Sequence, residues 1–364
     1  MDEFESIEDL AKIIKNDFDS DSNKKKITLL YAFNSVGKTR LSTAFSDLTE
    51  NKVLCYNAFF EDMFSWDNED YILTLEPNSW IVDLINEQGL ENNIIDNFSK
   101  IINAKIQPDF NLRQGKVTFK IAKGDDNSQS NIKISKGEES AFIWSIFYTI
   151  LETVVEALNT EKDGRTTQVF NDYEYVIIDD PVSSIDDTKL ISMVIDLIQM
   201  IDISQNKNLK FLITTHHALF YNVFFNTFKQ KRDYKSKFHV LTKNDTVLKL
   251  SEQRSDSPFG YHFVVKNELQ KAIETNAIEK YHFNLFRSLL EKTANFLGYN
   301  EWYDCILADN KHKFARLINH YSHGKLSELE YKDLSNEDKD LFKEVFNDFI
   351  EEFKWKVEKQ NANQ

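Results

Sequence analysis

Glycine and proline are scarce: the 364-residue chain holds 9 Gly and 4 Pro. Long flexible linkers and proline-rich spacers are therefore not expected, because both depend on those residues. Cysteine is nearly absent. Cys55 and Cys305 form neither a CxxC pair nor a ligand cluster, which argues against a disulfide framework or a zinc knuckle. A reducing cytoplasm is the simplest compartment for such a chain. Uninterrupted apolar runs of about 18 residues or more are missing, so no membrane span is expected. The first residues, MDEFESIEDLAKIIKNDF, are acidic, and no secretion signal is expected there. A positive charge excess is missing too. With a net charge of −15, the overall field repels phosphate, so the chain is no general nucleic-acid coat or membrane-surface binder. Any nucleic-acid contact must come from a local patch.

What the chain does have is a hydrophobic fraction of 41% with 29 Phe and 14 Tyr, enough for an aromatic-rich core. Apolar strands alternate with helical stretches from Lys24 to about 250, which predicts a mainly parallel α/β sheet. Residues 5–18 have the period of an amphipathic helix. ITLLYAF, VLCY, YVIID and KFLITT have the runs of buried strands. Glu138–Leu158 predicts a long apolar helix, and 238–252 a hairpin. KVTFKIAK, a polar turn at 124–127 and SNIKIS predict another hairpin. After 255 the texture turns helical. The boundary is placed there, giving an α/β domain over 1–255 and a helical domain over 256–364.

Five short motifs within the first part carry chemistry. YAFNSVGKTRLS at 31–42 fits a P-loop, with Ala32 in place of the usual first glycine. Asn34, Ser35, Gly37 and Arg40 belong to this phosphate cradle. Lys38 would reach the β- and γ-phosphates, and the Thr39 hydroxyl would hold Mg²⁺. YVIIDDP at 175–181 is a strand ending in two carboxylates: Asp179 for the Mg²⁺ and Asp180 for the attacking water. ISKGEES at 134–140 resembles the ABC signature. Ser135, Gly137 and Glu138 at a helix start would offer a hydroxyl and backbone N–H groups to a γ-phosphate. The same residues also spell a capping box. SSID at 183–186 fits a loop crossing a dimer interface. His216 after FLITT fits a γ-phosphate sensor, with His217 as the weaker choice. No Q-loop glutamine is found; Glu61 or Asp62 would have to serve. Together these motifs resemble an ABC-type ATPase binding ATP or GTP. One P-loop and one signature per chain imply at least a head-to-tail dimer with a second copy.

In the second part, Arg287 and Glu291 stand at i, i+4, followed by Asn319, His320, Ser322 and His323. By residue type, a cation and two proton-transfer groups suffice for metal-free RNA cleavage. An intrahelical ion pair beside a loop histidine satisfies the same pattern. Residues 266–325 carry 9 Lys/Arg against 7 Asp/Glu, far less acidic than the chain as a whole. Lys311, His312, Lys313 and Arg316 could touch an RNA backbone.

The whole chain resembles the PrrC family of anticodon nucleases. The resemblance rests on Ser135-Lys136-Gly137-Glu138, on Asp179-Asp180-Pro181, and on Arg287, Glu291 and His323 in order and spacing. It implies an ABC-type head joined to a ribonuclease part that cuts tRNA in phage defence, with Arg287, Glu291 and His323 as its catalytic group. A second reading keeps the ATPase and assigns the helices to docking. The chain would then be the regulatory subunit of a Septu- or retron-like defence system, controlling a separate nuclease or toxin as its companion protein.

Overall fold

The computed structural model describes residues 2–20, 24–50, 52–76, 79–102, 106–121, 131–165, 167–181, 187–244, 247–253, 261–323 and 334–355. They fall into two compact units, Met1–Phe259 and Gly260–Gln364. The loop at 183–186, the turn at 124–127 and the residues around 255 lie outside the described residues.

The first unit opens with strand β1 (Asp2–Phe4), helix α1 (Ile7–Asp19), strand β2 (Lys25–Ala32) and helix α2 (Lys38–Leu48). Strand β3 (Val53–Tyr56) and the single turn α3 (Ala58–Glu61) follow. Next come β4 (Phe64–Asp67), β5 (Ile72–Leu75), α4 (Trp80–Gln88), α5 (Glu91–Ile102), β6 (Ile106–Asn111) and β7 (Lys116–Ile121). The unit closes with α6 (Lys136–Asn159), β8 (Tyr175–Asp179), α7 (Asp187–Ile203), β9 (Lys210–Thr215), α8 (Ala218–Phe228), β10 (Tyr234–Asn244) and β11 (Val247–Glu252).

Seven strands form the main sheet in the order β1-β11-β10-β2-β9-β8-β3. From β10 through β3 every pair is parallel, and β11 and β1 add an antiparallel edge. Strand β8 is buried at all five positions, as expected for a strand covered on both faces. Adjacent central strands β2, β9 and β8 end side by side, so the residues just past them converge at one edge.

Two features differ from the sequence reading. Strand β1 was unforeseen, since three residues with two acids carry almost no pattern. And β7 pairs with β6 and β5 in a second, antiparallel sheet ordered β4-β5-β7-β6, a sheet not foreseen from the sequence. The reason is a tight turn: Leu112–Gln114 form a short 3-10 turn and Gly115 takes φ 61, a left-handed angle that glycine reaches without strain. Of the hairpin expected with SNIKIS, the described residues include the bond from the Ile132 N–H to the Phe119 carbonyl (2.9 Å), and its turn lies outside them.

Helix α6 starts at a true capping box. The Glu138 N–H donates to Ser135 Oγ (3.3 Å), and the Ser135 N–H donates to Glu138 Oε2 (2.6 Å). By length and mean hydropathy (1.5 over its best window) α6 could cross a bilayer, but 83% of that window is buried within the unit. It is the central core helix, packed through Phe142, Trp144, Ile146, Phe147 and Leu151.

The second unit holds α9 (Tyr261–Glu274), α10 (Lys280–Leu297), α11 (Ala308–His323) and α12 (Asn336–Glu352), with a 3-10 turn at Trp302–Cys305. Helix α10 ends at Gly298, whose φ of 77 closes it in the left-handed form. The core centres on Phe286. Its fully buried ring meets Phe314, Phe342, Phe346 and Phe349 at centroid distances of 5.4–5.5 Å. Truncating it leaves a cavity that four flanking rings fill only in part. Phe286→Ala should destabilise this unit by about 3–5 kcal/mol, read as a lowered urea midpoint; an unchanged midpoint would mean that the ring is not the centre of this core.

Candidate functional site

At the edge where β2, β9 and β8 end, the loop after β2 turns back on itself. Ser35 takes φ 67 and Gly37 φ 115 before α2 begins at Lys38. The value at Gly37 is open to glycine and strained for any side chain, which explains its place at the helix N-terminus. Asn34, Ser35 and Arg40 are exposed and Thr39 is half-buried. Lys38 is buried. Its ammonium donates to the carbonyls of Ala32 (3.1 Å) and Phe33 (3.3 Å) and to Asn34 Oδ1 (3.1 Å). It also lies 3.3 Å from Asp180 Oδ2. Thus the lysine that would hold phosphate is tied to its own loop and to the acidic strand end.

Asp179 and Asp180 have opposite environments. Asp179 is almost fully buried. Burial pushes its pKa up, against hydrogen bonds from Thr214 and Thr39 that pull the other way. A buried carboxylate with hydroxyl neighbours and little compensating positive charge is poised for a cation. Asp180 adopts φ 52, a left-handed conformation uncommon outside glycine, asparagine and aspartate. Its N–H donates to the Thr214 carbonyl (3.0 Å), which fixes that strained turn to β9. Burial raises the pKa of Asp180, but the hydrogen bond from His216 and the charges of Lys38 and His216 outweigh it and hold the carboxyl below its ordinary value.

His216 Nδ1 lies 2.6 Å from Asp180 Oδ1 and 2.7 Å from Oδ2, and its N–H donates to Oδ1 (3.1 Å). His217 instead stands at the N-cap of α8, its N–H donating to Thr215 Oγ1 (2.9 Å). The structure therefore brings Lys38, Asp180 and His216 together around one carboxylate, and Thr39, Asp179 and Thr214 around the other. Thr214 is the residue that sequence reading missed. Its signal was present: two consecutive threonines close an otherwise apolar strand.

Glu61 ends α3 and accepts a hydrogen bond from the Tyr56 hydroxyl (2.6 Å). Burial raises its pKa, and it senses the charges of both Lys136 and Asp180. Asp62 is exposed. At the start of α6, Ser135 and Lys136 are exposed, while Gly137 and Glu138 are half-buried. The Ser135 and Glu138 N–H groups there are taken up by the capping box.

The donors fit a magnesium nucleotide. The Thr39 hydroxyl and the Asp179 carboxylate are hard oxygen ligands of the kind that hold Mg²⁺. The left-handed Gly37 and the α2 N-terminus form an anion cradle. Among the described residues there is no separate cluster of three or more His, Cys, Asp or Glu able to hold a metal.

In the second unit, Arg287 Nε donates to Glu291 Oε1 (2.8 Å) along α10. Its Nη1 donates to Asn319 Oδ1 (3.3 Å) on α11. The guanidinium lies 5.5 Å from the centre of the Trp302 ring. Arg287 and Glu291 are therefore joined. His323 is the last residue of α11, one turn beyond Asn319, and its side chain lies outside the described residues, as do those of His320 and Ser322. Lys311 pairs with Asp304 (2.6 Å) and covers the Tyr303 ring (5.1 Å); His312, Lys313 and Arg316 are exposed.

If Lys38 anchors phosphate, Lys38→Ala should abolish nucleotide retention, measured as loss of bound radiolabelled ATP on a filter. Undiminished retention would contradict the assignment of this loop.

Residues 78–351 match a family model described as an AAA domain. The SmcHead bound to the C-winged helix domain of ScpA is 9% identical, covering 64% of this chain and 90% of that one at a TM-score of 0.35. A structure described under ATP-driven dimerization and DNA stimulated activation of SMC ATPases is 13% identical, covering 52% and 97% at a TM-score of 0.32. Among curated proteins, "Anticodon nuclease" of Escherichia coli is 40% identical over 348 residues, spanning 87% of this chain and 87% of that protein. At that identity over nearly the full length of both, the chain belongs to the anticodon nuclease family.

Proposed function

We propose that the chain is a nucleotide-gated ATPase that cuts tRNA at the anticodon without a metal at the scissile phosphate. The observation that carries this reading is the 40% identity to an anticodon nuclease over 87% of this chain. The joined pair Arg287–Glu291 supports it by supplying a cation and a carboxylate at one place.

In the ATPase part, Lys38 leaves its loop carbonyls and Asp180 to meet the β- and γ-phosphates of ATP or GTP. Thr39 and Asp179 would hold Mg²⁺, which would supply charge neutralisation on those phosphates. Asp180, freed of Lys38 and steadied by His216, orients the attacking water. Ser135, Gly137 and Glu138 of a second copy approach the γ-phosphate from α6, so two chains pair head-to-tail and close two sites between them. Aspartate at position 180 is one methylene shorter than the glutamate usual in ABC-type enzymes, which suits a slow switch.

In the nuclease part, the 2′-hydroxyl of the cut nucleotide loses its proton as its oxygen attacks phosphorus. The 5′-oxygen leaves with a proton, giving a 2′,3′-cyclic phosphate and a 5′-hydroxyl. Glu291 and His323 move those two protons, and Arg287 neutralises the crowded phosphorane. The setting is the cytoplasm, where tRNA is available, and the biological role is antiviral defence by disabling translation.

Purified chain given ATP or GTP, Mg²⁺ and total tRNA should produce one discrete cut with a 2′,3′-cyclic phosphate end. Arg287→Ala and His323→Ala should each lower the cleavage rate at least about 100-fold while leaving nucleotide hydrolysis intact. Intact tRNA with wild type, or full cutting by both variants, would refute the nuclease assignment.

A further inference from the structure

We infer that Asn319 and Trp302 are positioning residues for the Arg287 guanidinium, an inference that rests on the nuclease reading. Three segments far apart in sequence meet at this one side chain. Helix α10 provides Arg287 and the Glu291 carboxylate (2.8 Å from Nε), α11 provides Asn319 Oδ1 (3.3 Å from Nη1), and the turn between them provides the Trp302 ring (5.5 Å from the guanidinium carbon).

An i, i+4 Arg–Glu pair on a helix surface is complete in itself and worth a few tenths of a kcal/mol. It needs no amide from a second helix and no aromatic face from a third segment. What those additions do is fix rotation. Guanidinium is planar, and its donors point in set directions. Glu291 fixes the Nε edge and Asn319 one Nη corner, while Trp302 covers a face through cation–π attraction. The remaining geometry of the fork is then set before substrate arrives. A cation that must meet a transient phosphorane gains most from being held in place beforehand, because reorganisation during the reaction costs rate.

Asn319 is exposed, so burial cannot explain its choice of partner. Its place on α11 adds a second constraint. His323 follows it by one helical turn. The residue that holds Arg287 and the residue assigned a proton-transfer role thus share one rigid helix, and their register along it is fixed.

The test uses the full chain, total tRNA and four variants. Asn319→Ala should lower kcat by about 10- to 100-fold with KM within about twofold of wild type. Asn319→Asp should restore most of the rate, since a carboxylate oxygen still accepts from Nη1. Trp302→Ala should lower kcat in the same way, and Trp302→Phe should recover part of it. Asn319→Ala with wild-type kcat, or Asn319→Asp no better than Asn319→Ala, would overturn the assignment.

A second readout is independent of cleavage. In the chain labelled with ¹⁵N-arginine, the Arg287 Nη1–H signal, the one whose hydrogen faces Asn319, is identified by its loss in Arg287→Lys. Asn319→Ala should speed its exchange with water while leaving the urea midpoint unchanged. Unchanged exchange would show that Asn319 does not hold the guanidinium, whatever the tRNA assay gives. Altered exchange with no cleavage by any form would instead count against the nuclease reading on which the inference rests, and the catalytic meaning of the contact would fall with it.

Discussion

The nucleotide end of this fold depends on one carboxylate. Asp180 receives His216 Nδ1 at 2.6 Å, lies 3.3 Å from the Lys38 ammonium, and does so from a left-handed backbone conformation pinned to β9. Three strand ends are thereby linked: β2 through the loop that bears Lys38, β8 through Asp180 itself, and β9 through His216. A partly buried ion pair of this kind holds because each charge has further partners: Lys38 has three oxygens besides Asp180. The arrangement is self-sufficient. If Lys38 meets phosphate as proposed, an incoming triphosphate competes with an internal carboxylate for one lysine, which would give the site two states.

The neighbouring carboxylate works oppositely. Asp179, buried and made harder to ionise by that burial, faces Thr39 and Thr214 hydroxyls rather than a cation. One aspartate is held ionised by protein charges, and the other would gain most from an added cation. Two adjacent aspartates in one motif so acquire different roles from their surroundings alone.

Much of this was legible in the chain. GKT before a helix, an apolar strand ending in Asp-Asp-Pro and Ser-x-x-Glu at a helix start each encode a local rule, and local rules survive folding. The capping box at Ser135–Glu138 is the clearest case, because both of its bonds depend on residues three apart. What escaped was long-range or weakly patterned. Strand β1 has three residues and two of them are acids. The pairing of β7 with β6 escaped because it depends on a turn that needs a left-handed Gly115. The contacts of Arg287 with Asn319 and Trp302 join three segments with no periodic relation, so only the fold could bring them to one point. The pairing of Lys38 with Asp180, across 142 positions, is of the same kind.

In the mechanism we propose, Asp180 is the residue through which resting and closed states of the head exchange. Replacing it by asparagine removes the charge beside Lys38 and the carboxylate proposed to orient water, yet keeps the side-chain shape. The direct measurement is the molar mass of Asp180→Asn in solution, by light scattering on a sizing column, with and without ATP and Mg²⁺. A shift with ATP to the mass of two or more chains, each retaining nucleotide, is the predicted result; a lone chain with ATP bound would contradict the account.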